Sequence, residues 1–248
     1  MSANFSYTLS VDIFAMLPDV RTELILKLVI EDYIRTAQPV GSKYLNDLYQ
    51  LGVSDATVRN ELAGLEAEGL LRSPHTSAGR IPTEQGYLYY LQYLRDKTFV
   101  VEGTPFQSTT HAKDTEATLK SMAKKLVEIS GETAIVAIDP KWTYYTGVSN
   151  LFHKPDFHDP EVMQELSGMI DQFDEVLQRM YRFLPEGPQV FIGSGNPFGQ
   201  EMATILVRYN IDEYTQGLFG LVGPLRMDYS RNLALIERAK EVIDAYFE

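Results

Sequence analysis

Gly41-Ser42-Lys43-Tyr44-Leu45, then Leu51-Gly52-Val53-Ser54-Asp55-Ala56-Thr57-Val58-Arg59-Asn60-Glu61-Leu62, then Leu70-Leu71-Arg72-Ser73-Pro74-His75-Thr76-Ser77-Ala78-Gly79-Arg80-Ile81-Pro82 is the stretch on which the fold turns. It reads as a helix, a tight turn at Gly52, a second helix capped by Ser54, and two short strands around a polar loop. That order is a helix-turn-helix followed by a basic wing. Val58, Leu62 and Leu65 recur at helical spacing and form the inner stripe of the second helix. Ala56, Thr57, Arg59, Asn60 and Ala63 lie on or beside the opposite face. That face is small and polar, with one Arg. Small side chains let a helix approach base edges; Ala meets a thymine methyl, Arg reads guanine and Asn reads adenine. A plain solvated face is the alternative, although such a face more often carries several long Lys and Glu side chains.

Outward from this stretch, residues 19–36 read as a helix. Asp19 can cap it, and Leu24, Ile25, Leu28 and Val29 supply its buried side. Pro39 ends it, because proline disfavours helix at the preceding residue. Ser42 is expected to cap the next helix, with Leu45 and Leu48 facing inward. In the wing, the donors of His75, Thr76 and Ser77 suit phosphate contacts, as do Ser42 and Lys43, and Arg80 suits a minor groove. Thr83 caps a helix whose Tyr87, Tyr90, Leu91 and Leu94 form an apolar side. Residues 1–17 read as a leader, 18–97 as the winged-helix domain and 98–114, with Gly103, Pro105 and a Ser/Thr cluster, as a linker.

The chain has 248 residues and a formal net charge of −12, which at first sight opposes DNA binding. The charge is unevenly spread: residues 18–97 carry −2 and residues 98–248 carry −9. Residues 69–83 hold Arg72, His75 and Arg80 and no acid. The local field decides binding, and the wing is a basic island. Cys is absent, which excludes disulfides and thiolate metal sites. No apolar run reaches the length of a membrane span, and the N-terminal residues lack the pattern of a secretory signal. A cytoplasmic protein fits.

Residues 115–248 mix helix and strand patterns, so an α+β second domain is expected. Helices are read at 115–129, 159–184 and 229–247, and strands at 133–138, 142–148, 189–192 and 217–222. A helix is also expected within 198–207. Gly193-Ser194-Gly195-Asn196-Pro197-Phe198-Gly199 would then lie between a strand and a helix, where backbone N–H groups can cradle a phosphate. The spacing lacks a nucleotide-binding fingerprint, so a structural turn is the stronger reading and a ligand loop at Gly193, Ser194, Gly195 and Asn196 the weaker. Asp156, His158, Asp159 and Glu161 are dense in acid and His, but Pro155, Pro160 and a capping Asp159 read as a loop and helix start, and metal is declined. No nucleophile, base and acid are arranged for catalysis, so neither an enzyme nor a cofactor is expected.

Several blocks in order resemble the HrcA family of heat-inducible transcription repressors. They are Glu31-Asp32-Tyr33-Ile34, Pro39-Val40-Gly41-Ser42, Ala56-Thr57-Val58-Arg59-Asn60-Glu61, Pro74-His75-Thr76-Ser77-Ala78-Gly79-Arg80-Ile81-Pro82 and Gly86-Tyr87. Gly147-Val148-Ser149-Asn150-Leu151 and Gly223-Pro224-Leu225-Arg226-Met227-Asp228-Tyr229 join them near the C-terminus. The resemblance implies a winged helix followed by a GAF-like domain (115–248) that carries an inserted dimerisation domain. It implies a homodimer on an inverted-repeat operator in double-stranded DNA upstream of chaperone genes, released on heat stress, with the chaperonin GroEL promoting the active form. Here the insertion is reduced or missing. The alternative is a small-ligand-sensing GAF-like regulator whose winged helix serves protein or DNA contacts.

Overall fold

The structure is a computed structural model that describes residues 19–75, 78–95, 97, 103, 105–106, 114–139, 142–212 and 215–247. The chain divides into two compact units, the first ending at Arg95 and the second continuing from Asp96. Thr76 and Ser77 lie outside the described residues, as do 1–18 and most of 98–113.

The first unit opens with α1 (Val20–Thr36), capped by Asp19, whose carboxylate accepts from the Arg21 and Thr22 N–H groups. Ile25, Leu26, Leu28, Val29 and Ile30 are buried. Leu24, expected inside, is 43% exposed; the stripe is centred on positions 25/26 and 29/30, one residue further round the helix. The following α2 (Ser42–Tyr49) is capped by Gly41 without a side-chain bond, so Ser42 is its first helical residue rather than its cap. Only Leu45 is buried in this eight-residue helix, and Leu48 is exposed, contrary to expectation. Two turns suffice to bury one position, and the neighbouring faces stay in solvent. After Gly52, whose φ of 72° requires glycine's freedom, comes α3 (Asp55–Ala67). Ser54 caps it, accepting from the Thr57 N–H at 3.1 Å. Asn46 Nδ2 donates to Val53 O at 3.0 Å and Asp55 Oδ1 at 2.7 Å, which fixes α2 against the start of α3.

Strands β1 (Leu71–Arg72) and β2 (Ile81–Pro82) pair antiparallel, and Val40 forms a bridge with Arg80. A Cβ on Gly79 would sit 2.4 Å from the Val40 carbonyl carbon, so only glycine permits that bridge. Helix α4 (Glu84–Leu94) is capped by Thr83 and buries Tyr87, Tyr90, Leu91 and Leu94.

The second unit contains α5 (Thr115–Ser130), β3 (Thr133–Asp139), β4 (Trp142–Thr146), α6 (Val148–His153), α7 (Pro160–Ile170), α8 (Phe173–Phe183), β5 (Gln189–Ile192), β6 (Met202–Asn210), β7 (Gln216–Pro224) and α9 (Tyr229–Phe247). The strands form one antiparallel sheet in the order β4-β3-β7-β6-β5. Ile135, Ala137, Leu206, Leu218 and Val222 share a core with Leu151 of α6, Leu166 of α7, and Phe173, Val176 and Leu177 of α8. Alternate strand residues point the other way. On that face α5 and α9 cover the sheet, and Tyr209 stacks on Phe247. This is a mixed α+β unit with both sheet faces covered.

Two segments depart from expectation. Residues 202–210 form strand β6, where a helix was expected. A continuous apolar run gives the same periodicity in a buried strand and a buried helix; here β-branched Thr204, Ile205 and Val207 suit the strand. The helix expected over 159–184 is two helices, α7 and α8, broken at residues 171–172. The apolar stripe from Val162 to Met180 runs through the break, because both halves face the same core.

Glu132, just before β3, is 3% exposed. Its carboxylate receives Lys154 Nζ at 2.5 Å, while Arg226 Nε donates to both oxygens of Asp156 at 2.9 Å. A Cβ on Gly223 would lie 2.1 Å from Glu132 Oε2, and one on Gly147 would lie 2.9 Å from Glu132 O. The two C-terminal blocks that carry the family resemblance therefore both close on Glu132, one at its carboxylate and the other at its backbone carbonyl. Removing one partner of a buried pair costs about 3–5 kcal/mol, because it strands the other charge. Lys154→Met should destabilise the chain by that amount in a urea melt, and adding Glu132→Gln should recover most of it.

Burial raises the Glu132 carboxyl above the ordinary range, and Lys154 pulls it the other way. The folded protein therefore holds this proton to higher pH than the unfolded chain. Its contribution is present below the ordinary carboxylate range and is lost as pH rises through the raised value. The native chain should lose stability relative to Glu132→Gln as pH rises from the ordinary carboxylate range through the raised value. Denaturant melts across that window check it; the opposite trend would mean that Lys154 outweighs burial.

Gly86 marks a further tight approach, since a Cβ there would lie 2.2 Å from Leu70 O. Overpacking of this kind costs about 1–3 kcal/mol, so Gly86→Ala should lower the melting midpoint of the first unit.

Candidate nucleic-acid interface

Helix α3 can present a reading face only if its other side is held. Val58, Leu62 and Leu65 are buried. Glu61 adds a polar anchor to α1: it accepts from Arg21 Nη2 at 2.7 Å and Nε at 3.0 Å, and from Thr22 Oγ1 at 2.6 Å. The opposite side shows Ala56, Arg59, Asn60 and Ala63 exposed. Thr57 is half-buried, and its hydroxyl lies 2.9 Å from that of Ser54. Ser54 and Thr57 are thus engaged with each other at the helix start. Among the described residues, Arg59 and Asn60 have no side-chain hydrogen bond or ion pair, while the Ala residues leave room for a close approach.

The hairpin and α2 flank this face in the same unit. Lys43 is exposed on the first turn of α2, with half-buried Ser42 beside it, and His75 is exposed in the turn after β1. Arg80 is placed differently from expectation. Its Nη2 pairs with Glu66 Oε2 of α3 at 2.8 Å, and its side chain is only 23% exposed. Glu66 also accepts from the Ser73 N–H at 3.0 Å. Its carboxyl is held below the usual range, first by the Ser73 hydroxyl and then by Arg80, against partial desolvation. Arg80 therefore braces the wing against α3, and it must release Glu66 before entering a groove. Arg72, not singled out as a contact, is exposed on β1 beside buried Leu71. The two-residue alternation of a strand is the signal that could have found it. Thr76 and Ser77 lie outside the described residues.

The structure does not bring Gly193, Ser194, Gly195 and Asn196 into a phosphate cradle. Residues Gly193–Gly195 make one short 3-10 turn, and strand β6 follows instead of a helix. Asn196 is buried and fully occupied: it donates to Phe191 O at 3.2 Å and Thr204 Oγ1 at 3.1 Å, and its Oδ1 accepts from the Phe198 N–H at 2.8 Å. Its side chain holds the turn. Among the described residues, no group of three or more His, Asp or Glu is placed to hold a metal ion, and no helix is long and apolar enough to cross a membrane.

A solved crystal structure described as a hypothetical protein is similar in fold, with a TM-score of 0.75 at 17% identity over 92% of this chain and 98% of that one. The heat-inducible transcription repressor HrcA of Moorella thermoacetica is 24% identical, covering 93% of this chain and 98% of that protein. That alignment runs over 338 positions against 248 residues here, so the relative carries segments that this chain lacks. The heat-inducible transcription repressor HrcA of Bifidobacterium adolescentis is 44% identical over 123 residues, which cover 47% of this chain and 32% of that protein. A family model described as the HrcA protein C terminal domain matches residues 99–233, and with more than half of its length so matched, this chain belongs to the HrcA family.

Proposed function

We propose that the chain is a sequence-specific transcription repressor of heat-shock genes that reads DNA through a winged helix. In this reading residues 18–97 are the winged-helix domain, 98–114 a linker and 115–248 a GAF-like domain for dimerisation and sensing. The exposed face of α3, small and polar and set opposite a clamped stripe, carries the reading. The names of the curated relatives support it. Arg59 and Asn60 read base edges, while Ser42, Lys43, His75, Thr76 and Ser77 hold phosphates. Arg72 joins them on geometry. The operator is an inverted repeat bound by a homodimer, because two-fold protein symmetry asks for symmetric half-sites. The chaperonin GroEL is the partner that the family resemblance suggests, and the cytoplasm is where such a repressor meets DNA. The ligand-sensing alternative gains little from the Gly193 turn, whose buried Asn196 is spent on β5, β6 and the Phe198 N–H.

Arg59→Ala should weaken binding by about 1–3 kcal/mol and relax the sequence preference at one base position. Fluorescence anisotropy on the inverted repeat upstream of the organism's own chaperone genes, with each base varied, checks this. Unchanged affinity and preference would remove Arg59 from the reading face.

Release on heating is the second expectation. DNA binding should be lost on mild warming while the amides of α1 and α3 keep their hydrogen-exchange protection. If binding persists until both units melt together, heat does not act through the second unit.

A further inference from the structure

The second unit has a cleft that the repressor reading does not use. It has a cavity volume of about 60 Å³, is open to solvent on one side, and lies between α7 and the turn that enters β6. That is room for about four to six waters, and so for a ligand of only a few heavy atoms below the rim. Its floor is apolar: Phe157, Val162, Leu166, Met169, Phe198 and Met202. Val162, Leu166 and Met169 fall at i, i+4 and i+7 on α7, so one helix face supplies half of it. Two thioethers and two aromatic rings make a surface that adapts to ligand shape. Phe198 is itself seated by Asn196, whose Oδ1 accepts the Phe198 N–H.

The rim is of one sign. Glu165 lies at i+3 on α7, at the edge of the apolar face, and Glu201 stands across from it with Gln200. Both carboxylates are exposed, and among the described residues neither has an ion-pair partner. The sequence has no Lys or Arg between Lys154 and Arg179, nor between Arg182 and Arg208, so the elements that build the cleft bring no cation of their own. Arg226, in the turn after β7, is committed to Asp156. An anion would meet two carboxylates and no donor but Gln200.

We infer that this cleft is a binding site for a small amphiphilic cation, an amine whose apolar group rests on the Phe, Met and Leu floor and whose ammonium sits between Glu165 and Glu201. Apolar contact supplies the affinity, and the paired carboxylates select the charge. The site lies wholly within the second unit, and its test needs no DNA.

The test uses the full chain labelled at methionine methyl groups, titrated with 2-phenylethylammonium and, separately, with 3-phenylpropionate. The amine should shift the Met169 and Met202 methyl signals saturably at about millimolar concentration, leaving the remaining methionines still. The carboxylate should not. The double variant Glu165→Gln with Glu201→Gln should weaken the amine about tenfold and keep the native methyl spectrum, as expected for two exposed charge contacts. Val162→Trp, which fills the floor, should abolish the shifts. Equal binding of the carboxylate, unchanged affinity in the double variant, or no shift at either methionine up to about 10 mM would overturn the proposal.

Discussion

One carboxylate is held where water cannot reach it, and much of the second unit is arranged to tolerate it. Glu132 sits at the entrance to β3, 3% exposed. Burying a charge is costly unless it is paired and its surroundings supply donors. Lys154, from the end of α6, supplies the countercharge. The Arg226–Asp156 pair lies alongside and influences the same carboxyl. Space for it comes from Gly223, where a side chain would collide with the carboxylate, while Gly147 makes room for Val127 and the Glu132 backbone carbonyl. The start of one strand, the end of another, a short helix and the turn before α9 are thus joined by a single ionic constraint. Apolar side chains could have filled the same volume at no less stability. A charge network instead fixes which segments meet.

In the first unit the ionic contacts do the converse work, since they tie cations down. Arg21 is spent on Glu61 and Arg80 on Glu66. The positive charge left for a polyanion is small: Lys43, Arg59, Arg72 and Arg95 among the exposed, described positions, with His75 as a donor. Affinity for DNA follows the number of phosphates neutralised. In the proposed repressor a single unit of this kind would bind weakly, and two joined units would gain from the effective concentration that the first contact gives the second. The paired arginines serve shape: one sets the angle of α3 on α1, the other the position of the wing on α3.

What was legible in the sequence was local. The Asp19, Ser54 and Thr83 caps, the Val58–Leu62–Leu65 stripe, the Gly52 turn and the last helix all follow from spacing over a few residues. The errors came where two structures share one pattern. An unbroken apolar run suits β6 as well as a helix, and a stripe that continues across residues 171–172 conceals the break between α7 and α8. The Glu132 network was illegible because its members are separated by up to about ninety positions along the chain, and no local period connects them. The Arg80–Glu66 pair was illegible for the same reason. A basic residue in a wing looks free until the carboxylate one helix away is placed beside it.

The sheet order also has a consequence for the timing of synthesis. β3 lies between β4, which follows it at once, and β7, which is made far later; Ala134 waits for Leu221. Contacts between distant parts of a chain form slowly, and domains fold in the order in which they leave the ribosome. The first unit, built from neighbouring helices and one small hairpin, is complete as soon as α4 has emerged. The central pair of the second unit closes only after β7 has been made, so a newly made molecule passes through a period with a completed first unit and an open sheet.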